Sequence, residues 1–178
     1  MGLSIYYSGR IRHYKEIDNL MEEVSDIADN LGWIYTEISD DKLKGVLVSP
    51  EKCEPVVFTF VPDGRLCSPV SITYNQPDDD FYYTIFTKTQ FAGPDAHIAV
   101  IKLLRYISKK YFAEIKVMDE GKFWETNDER ILYEEFARYN KVLNDFTDML
   151  SELQHMPGES AESLADRIEI LFKRKNEI

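Results

Sequence analysis

The sequence predicts an α+β fold: a mainly antiparallel sheet with two helices on one face and a helical hairpin at the C-terminus. Three observations predict it. Apolar residues recur at helical spacing over 14–31 and again over 94–112. Between these helices, short segments rich in Val, Ile, Thr, Tyr and Phe are separated by tight turns, which favour antiparallel pairing. After residue 126, apolar residues recur at alternating three- and four-residue steps, a pattern typical of helices that pack together.

The first two predicted elements are a strand and an amphipathic helix. Residues Leu3–Ser8 alternate in polarity and predict a short strand. The helix over Tyr14–Leu31 has its apolar side chains on one face and its acidic side chains on the other. Gly32 then stands where a helix end needs a left-handed residue, and Trp33 stands where an apolar contact closes that cap.

A run of strands follows the first helix. The β-rich segments are Trp33–Ile38, Gly45–Val48, Pro55–Val61, Leu66–Tyr74 and Phe81–Lys88. Asp63-Gly64 is a strong hairpin signal, and a two-residue turn there pairs Pro62 with Arg65 and Phe60 with Cys67.

The second helix and the last strand complete the predicted sheet domain. Pro94 suits the first turn of a helix that continues to Phe112. Lys109 and Lys110 fall in its last turn, where positive charge complements the helix dipole. Ala113–Met118 reads as the final strand.

The C-terminal third predicts two helices. Thr126 followed three residues later by Glu129 forms a capping box at the start of the third helix. Pro157-Gly158 breaks this helix, and a last helix begins at about Ser160. The third helix carries an apolar seam over three heptads, made of Leu132, Phe136, Tyr139, Leu143, Phe146, Leu150 and Leu153.

This pattern predicts residues 1–125 as an α+β sheet domain and residues 126–178 as a helical hairpin packed on it. Large apolar side chains left in water are an aggregation hazard. We therefore expect the sheet and the last helix to cover the seam. A homodimer formed through the 132–153 helix is the alternative.

Composition limits the classes of function. The chain has 178 residues, 44% of them hydrophobic, which is enough for one substantial core and argues against general disorder. The net charge of −11 argues against nucleic-acid binding, which needs clustered basic residues. Residues 113–178 carry a balance of −7 against −4 for residues 1–112. No segment has the apolar length of a membrane span or of a signal peptide, so we expect a cytoplasmic protein.

The two cysteines predict free thiols. Cys53 and Cys67 lie on either side of the Asp63-Gly64 turn but far apart in the predicted register. A structural metal would need further ligands at short spacing, and the sequence contains neither C-x-x-C nor H-x-x-x-H. We expect no cofactor and no metal.

An acidic turn after the last predicted strand is the candidate site. Asp119, Glu120 and Glu125 fall within seven residues, and converging carboxylates can divide acid and base roles. His97 is the histidine that we place with them as a candidate for hydrolytic catalysis. The spacing matches no established catalytic or metal loop, so an ordinary turn and helix start is the favoured interpretation.

Two aromatic residues in the same turn are candidate binding residues. Phe123 and Trp124 are large apolar side chains in a polar segment, and such residues can anchor a partner. The favoured interpretation is structural: an apolar residue shortly before a helix cap commonly packs back on the first turn.

Three segments carry a resemblance to a known group of sequences. TQFAG, LLRYISKKYFAEIKVMDEG and KFWETNDERILYEEF are similar to sequences of an uncharacterised family of bacterial hypothetical proteins. The resemblance covers most of residues 1–146, with DEGKFWET its most distinctive part. It implies a bacterial cytosolic origin and assigns no activity, cofactor or partner.

The function expected from these observations is that of a non-enzymatic, acidic protein-binding module. Such a module, of an immunity or adaptor kind, would mask a basic protein partner. The alternative is a small carboxylate-dependent hydrolase that uses the acidic turn at 119–125. We expect neither nucleic acid nor a membrane as a partner.

Overall fold

The computed structural model describes residues 2–74, 79, 81–151 and 160–176. Within these ranges the strands are β1 (Ser4–Ile11), β2 (Ile34–Ser39), β3 (Lys44–Ser49), β4 (Val56–Phe60), β5 (Ile85–Lys88) and β6 (Phe112–Asp119). The helices are α1 (Ile17–Leu31), α2 (Pro69–Tyr74), α3 (Pro94–Tyr111), α4 (Phe123–Thr126), α5 (Glu129–Ser151) and α6 (Ala161–Asn176).

The strands form two antiparallel sheets instead of the single sheet that we expected. One has the order β5-β1-β6 and the other has the order β2-β3-β4. Every registered strand pair is antiparallel, and the C-terminal region is helical, so the predicted α+β class is confirmed. Because β5 and β6 both pair with β1, the connection through α3 passes across the middle strand of its sheet.

The first helix matches its prediction closely. A 3-10 turn over Tyr14–Glu16 leads into α1, which packs on β3 and β2. Gly32 has the left-handed conformation, with a φ of 67°. The Trp33 N–H donates to the carbonyl of Ala28 at 2.8 Å, as the predicted cap requires.

The two large helices cover different sheets but touch each other. α3 packs on β6, whereas α1 packs on β2 and β3. The Glu23 carboxylate of α1 accepts hydrogen bonds from the side chains of Tyr106, Lys110 and Tyr111 of α3. The helices therefore lie side by side, held by a shared cluster of polar groups.

The predicted strand over Leu66–Tyr74 is wrong, because most of it is helix α2. Ser68 caps this short helix: its Oγ accepts from the Ser71 N–H at 3.0 Å. Pro69 occupies the first helical position, where its missing N–H costs nothing. Local capping outweighs the β-branched composition of the segment.

The Asp63-Gly64 hairpin forms with a register one residue away from the prediction. Phe60 pairs with Leu66 instead of Cys67, and the Val61 N–H donates to the Arg65 carbonyl at 3.0 Å. The connection is thus a three-residue loop with Gly64 at a φ of 87°, a known alternative to the two-residue turn.

The predicted capping box at Thr126 is also wrong. The one-turn helix α4 ends at Thr126, and α5 begins at Glu129 after a break. Asp128 caps α5, since its Oδ1 accepts from the Arg130 N–H at 2.9 Å.

The chain divides into two compact units, Met1–Phe136 and Ala137–Ile178, whereas the sequence placed the boundary between residues 125 and 126. The first unit includes the start of α5 because Leu132 and Phe136 are buried there. In the second unit, Phe146 and Leu150 are each 37% exposed. The last seam residue, Leu153, and the predicted break at Pro157-Gly158 lie outside the described residues. Among the described helices, none has the length and apolar character needed to cross a membrane.

Candidate functional site

The structure brings His97 and Asp119 together, as the sequence analysis considered. His97 lies in the first turn of α3, and Asp119 ends β6. The His97 Nε2 atom is 3.1 Å from the Asp119 carboxylate, and the Nδ1 atom is 2.7 Å from the hydroxyl of Thr89. The ring thus joins the Asp119 carboxylate on one side to the Thr89 hydroxyl on the other, and both of its nitrogens have a hydrogen-bond partner.

Two backbone groups complete the surroundings of the Asp119 carboxylate. Gly121 N–H donates to its Oδ1 at 2.8 Å, and Trp124 N–H donates to its Oδ2 at 2.9 Å. Burial opposes ionisation, but the hydrogen bond and charge of His97, with the two N–H groups, outweigh it and hold the pKa of Asp119 below its ordinary value. Asp119 therefore organises the turn that joins β6 to α4.

This network is closed to solvent. The side chains of His97 and Asp119 are 0% exposed. A Cβ at position 121 would lie 2.9 Å from the His97 ring, so the turn needs glycine to approach this closely. The Phe136 ring of α5 packs edge-on against the His97 ring, with 5.8 Å between centroids. Thr89, His97 and Asp119 are connected in the order of a nucleophile, a base and an orienting acid. Because all three residues are buried, a substrate cannot reach them in this conformation.

The other two candidate carboxylates lie apart from this network. The Oε2 atom of Glu120 accepts from the Ser4 N–H at 2.8 Å, which ties the turn to β1. Glu125 is exposed in α4. The three carboxylates of the acidic turn therefore do not converge: Asp119 is buried in the network, Glu120 binds the backbone of β1, and Glu125 faces solvent.

The two candidate aromatic residues have different surroundings. Phe123 is 2% exposed, so its ring is part of the core. Trp124 is half-buried. The Arg105 guanidinium lies over both rings at about 5.5 Å, and it donates to the backbone carbonyls of both residues.

Sequence reasoning missed Thr89 and Arg105. Thr89 lies eight residues before His97, and nothing in that spacing predicts a hydrogen bond to the ring. Arg105 lies on α3. Its three hydrogen bonds to the α4 segment depend on contacts between residues about twenty positions apart.

An acidic surface lies beside the closed network. Glu125, Glu129 and Glu134 are exposed, and among the described residues none of them has a salt bridge. The two cations of this segment are engaged elsewhere: Lys122 with Glu135 at 2.5 Å and Arg130 with Asp128 at 2.9 Å.

Asp95, in the first turn of α3, adds a further exposed carboxylate to this surface. It accepts a hydrogen bond of 2.8 Å from the hydroxyl of Tyr133, whose side chain on α5 is 47% exposed. We define the acidic surface as Asp95, Glu125, Glu129, Tyr133 and Glu134.

The cysteines and the remaining ligand types form no centre in the described ranges. Cys53 and Cys67 are unbridged. The Cys53 thiol donates to the Lys88 carbonyl at 3.5 Å, and the Cys67 thiol contacts the Tyr82 carbonyl at 3.7 Å. Within residues 2–74, 79, 81–151 and 160–176, no three His, Cys, Asp or Glu side chains are grouped closely enough to hold a metal ion.

Comparison of the chain with family models, with curated proteins and with solved structures found no match.

Proposed function

We propose that this protein is a non-enzymatic module of the bacterial cytoplasm that binds and masks a basic protein partner, in the manner of an immunity or adaptor protein. The observation that carries the proposal is the acidic surface. Among the residues that the structure describes, its carboxylates on α4 and α5 are exposed and have no salt bridge, while Lys122 pairs with Glu135 and Arg130 with Asp128. A surface with an excess of one sign of charge steers an oppositely charged partner and raises the association rate.

The tyrosine in this surface supports protein binding in particular. Tyr133 presents a half-exposed ring among carboxylates, and its hydroxyl is held by Asp95. Tyrosine is enriched in protein interfaces because it supplies apolar area and a polar tip at small entropic cost.

The hydrolase alternative has weaker support. His97 and Asp119 make the contact that a general base and its orienting acid would make, but both side chains are fully buried. Every polar atom of the pair has a hydrogen-bond partner within the fold. This favours a structural role.

The test compares two triple variants of equal charge change. Glu125, Glu129 and Glu134 are replaced by Lys in one, and Glu22, Asp26 and Asp29, exposed on α1, are replaced by Lys in the other. Tagged proteins are used to capture partners from host cells at about 0.15 M salt, where surface charges act over about 8 Å. We expect a basic protein on the wild type and on the α1 variant, eluted by high salt, and absent from the first variant.

Capture of the same basic protein by both variants would contradict the proposal, because the acidic surface would then be dispensable. Hydrolysis of a substrate panel by the wild type, lost in a His97→Asn variant that still folds, would favour the enzyme instead.

A further inference from the structure

Strand β2 has an open hydrogen-bonding edge. It pairs with β3 on one side, and within the described residues no strand lies on its other side. The Ile34 side chain is 76% exposed and that of Tyr35 is 37% exposed, and Thr36 and Glu37 are exposed as well. An edge of this kind is a template for pairing with another strand.

β2 has few of the features by which edge strands usually prevent pairing, and Glu37 is its one charged residue. It contains no Lys and no Pro, and its register with β3 is unbroken from Ile34 to Ser39. The edge strand β6 differs, since it carries Lys116 in its middle and a register shift against β1 at Arg10. The contrast indicates that the β2 edge is suited to a partner.

The backbone groups on this edge can be identified. At the end of the β2–β3 hairpin, the Asp40 N–H donates to the Leu43 carbonyl at 3.0 Å, so these residues form a hydrogen-bonded pair. Hydrogen-bonded and non-hydrogen-bonded pairs alternate along an antiparallel ladder. The N–H and C=O groups of Tyr35 and Glu37 therefore point away from β3, towards the open edge.

These facts limit the registers in which β2 can pair with the same strand of a second copy. An antiparallel pair about a two-fold axis must place the outward backbone groups opposite each other. An axis at Glu37 would set two like charges directly opposite, which is destabilising. An axis at Tyr35 avoids a like-charge contact but sets the exposed Ile34 side chain opposite the polar Thr36. An axis at Thr36 sets Tyr35 opposite Glu37 of the second copy and Ile34 opposite Ile38, and it pairs five residues without a like-charge contact.

We propose that this chain forms a homodimer by antiparallel pairing of β2 with β2 of a second copy, with the two-fold axis at Thr36. The β2-β3-β4 sheets of the two copies then join into one continuous six-stranded sheet. The Ile34 side chain, which solvent surrounds in the single chain, gains the apolar neighbour Ile38 across the interface. This inference concerns a different surface from the acidic one and does not depend on the proposed partner.

Cysteine cross-linking tests the register. In a Cys53→Ser background, Thr36→Cys places two thiols directly opposite each other in a non-hydrogen-bonded pair, about 4.5 Å apart between Cα atoms, which a disulfide can span. Ser39→Cys is the matched control: it is exposed on the same strand, but its copy lies at the far end of the paired segment. We expect mild oxidation to give a covalent dimer from Thr36→Cys and monomer from Ser39→Cys.

Sedimentation equilibrium at about 0.15 M salt tests the dimer itself. Wild type should dimerise reversibly, and Thr36→Lys, which sets two ammonium groups against each other on the axis, should raise the dissociation constant at least tenfold. Thr36→Val, which keeps the shape without the charge, should still dimerise. A wild type that stays monomeric at millimolar concentration overturns the proposal. So does a Thr36→Lys variant that dimerises as wild type does, because the contact would then lie elsewhere, as on the α5 seam.

Discussion

The hydroxyl of Tyr7 joins the two sheets through the backbone of Val57. It accepts a hydrogen bond of 2.7 Å from the Val57 N–H and donates one of 3.1 Å to the Val57 carbonyl. Tyr7 lies on β1 and Val57 on β4, so a side chain of one sheet provides hydrogen-bond partners for two backbone groups at the edge of the other sheet. Burial raises the pKa of the Tyr7 phenol far above its ordinary value, which keeps the donor proton in place.

We expect Tyr7→Phe to destabilise the fold by about 1–3 kcal/mol, because it leaves two buried backbone groups without a partner. A loss of that size lowers the melting temperature of a chain of this length by roughly 2–4 °C per kcal/mol. Tyr6→Phe is the control, since the described residues give the Tyr6 hydroxyl no hydrogen bond. Equal melting temperatures for the two variants, measured by circular dichroism, would show that the bridge between the sheets contributes nothing.

The second prediction concerns Glu23 at the contact between α1 and α3. Its carboxylate accepts from the Lys110 ammonium at 2.7 Å, from the Tyr111 hydroxyl at 2.5 Å and from the Tyr106 hydroxyl. Burial opposes ionisation, but these hydrogen bonds together lower the pKa of Glu23. Because the cluster is partly exposed, we expect Glu23→Gln to cost only about 1 kcal/mol in urea unfolding.

Glu22→Gln is the matched control for Glu23, because it is an exposed neighbour on the same helix. Its unfolding free energy should stay within about 0.5 kcal/mol of wild type. If 1 M salt leaves the cost of Glu23→Gln unchanged, the charge of Glu23 is not what stabilises the helix contact.

The sequence predicted those elements whose signals are local. α1 and its Gly32 cap follow from a helical apolar period and from one residue that tolerates positive φ, and both are found. The strand over Leu66–Tyr74 failed because Val, Ser, Ile, Thr and Tyr suggest a strand, while the Ser68 cap and Pro69 select a helix. The weak signal for α2, Ser followed by Pro, is readable in the sequence.

The candidate site was less accessible to sequence reasoning. His97 and Asp119 were both named, but their contact needs β6 to end beside the first turn of α3, which only the sheet order β5-β1-β6 provides. Thr89 was missed because its contact with His97 depends on the conformation of the loop between β5 and α3, which no sequence motif marks. The division into two sheets likewise rests on long-range contacts, such as that of Tyr7 with Val57, that no local pattern encodes.

The third prediction concerns the two thiols. Burial, with the nearby charge of Glu54, raises the pKa of Cys53 to about 12, and burial raises that of Cys67 to about 11. Since the thiolate is the reactive form, we expect both to react with a thiol reagent at pH 8 more than about tenfold slower in the native protein than in denaturant. Titration of the denatured chain without reductant should find two thiols; finding none would mean that they are paired with each other or with other molecules.

The last prediction concerns the acid sensitivity that Asp119 gives to the fold. Its folded-state pKa is lowered from the ordinary value of 3.8, so the ionised carboxylate stabilises the native state at pH values above 3.8. This contribution is lost as the pH falls through the folded-state pKa. Asp119→Asn removes the charge and turns an amide donor towards N–H groups that need an acceptor. We expect it to cost about 3–5 kcal/mol at pH 7, the range for breaking one partner of a buried pair.

Unfolding in urea at pH 7, 5, 4 and 3 tests the sign of this effect. The difference in unfolding free energy between wild type and Asp119→Asn should be constant from pH 7 to 5 and should shrink below about pH 4. Glu125→Gln, which changes an exposed carboxylate, should differ little from wild type at every pH. A wild-type advantage over Asp119→Asn that grows as the pH falls would mean that the native state favours a protonated Asp119. The hydrogen bond from His97 would then not stabilise the ionised form of Asp119 in the native state.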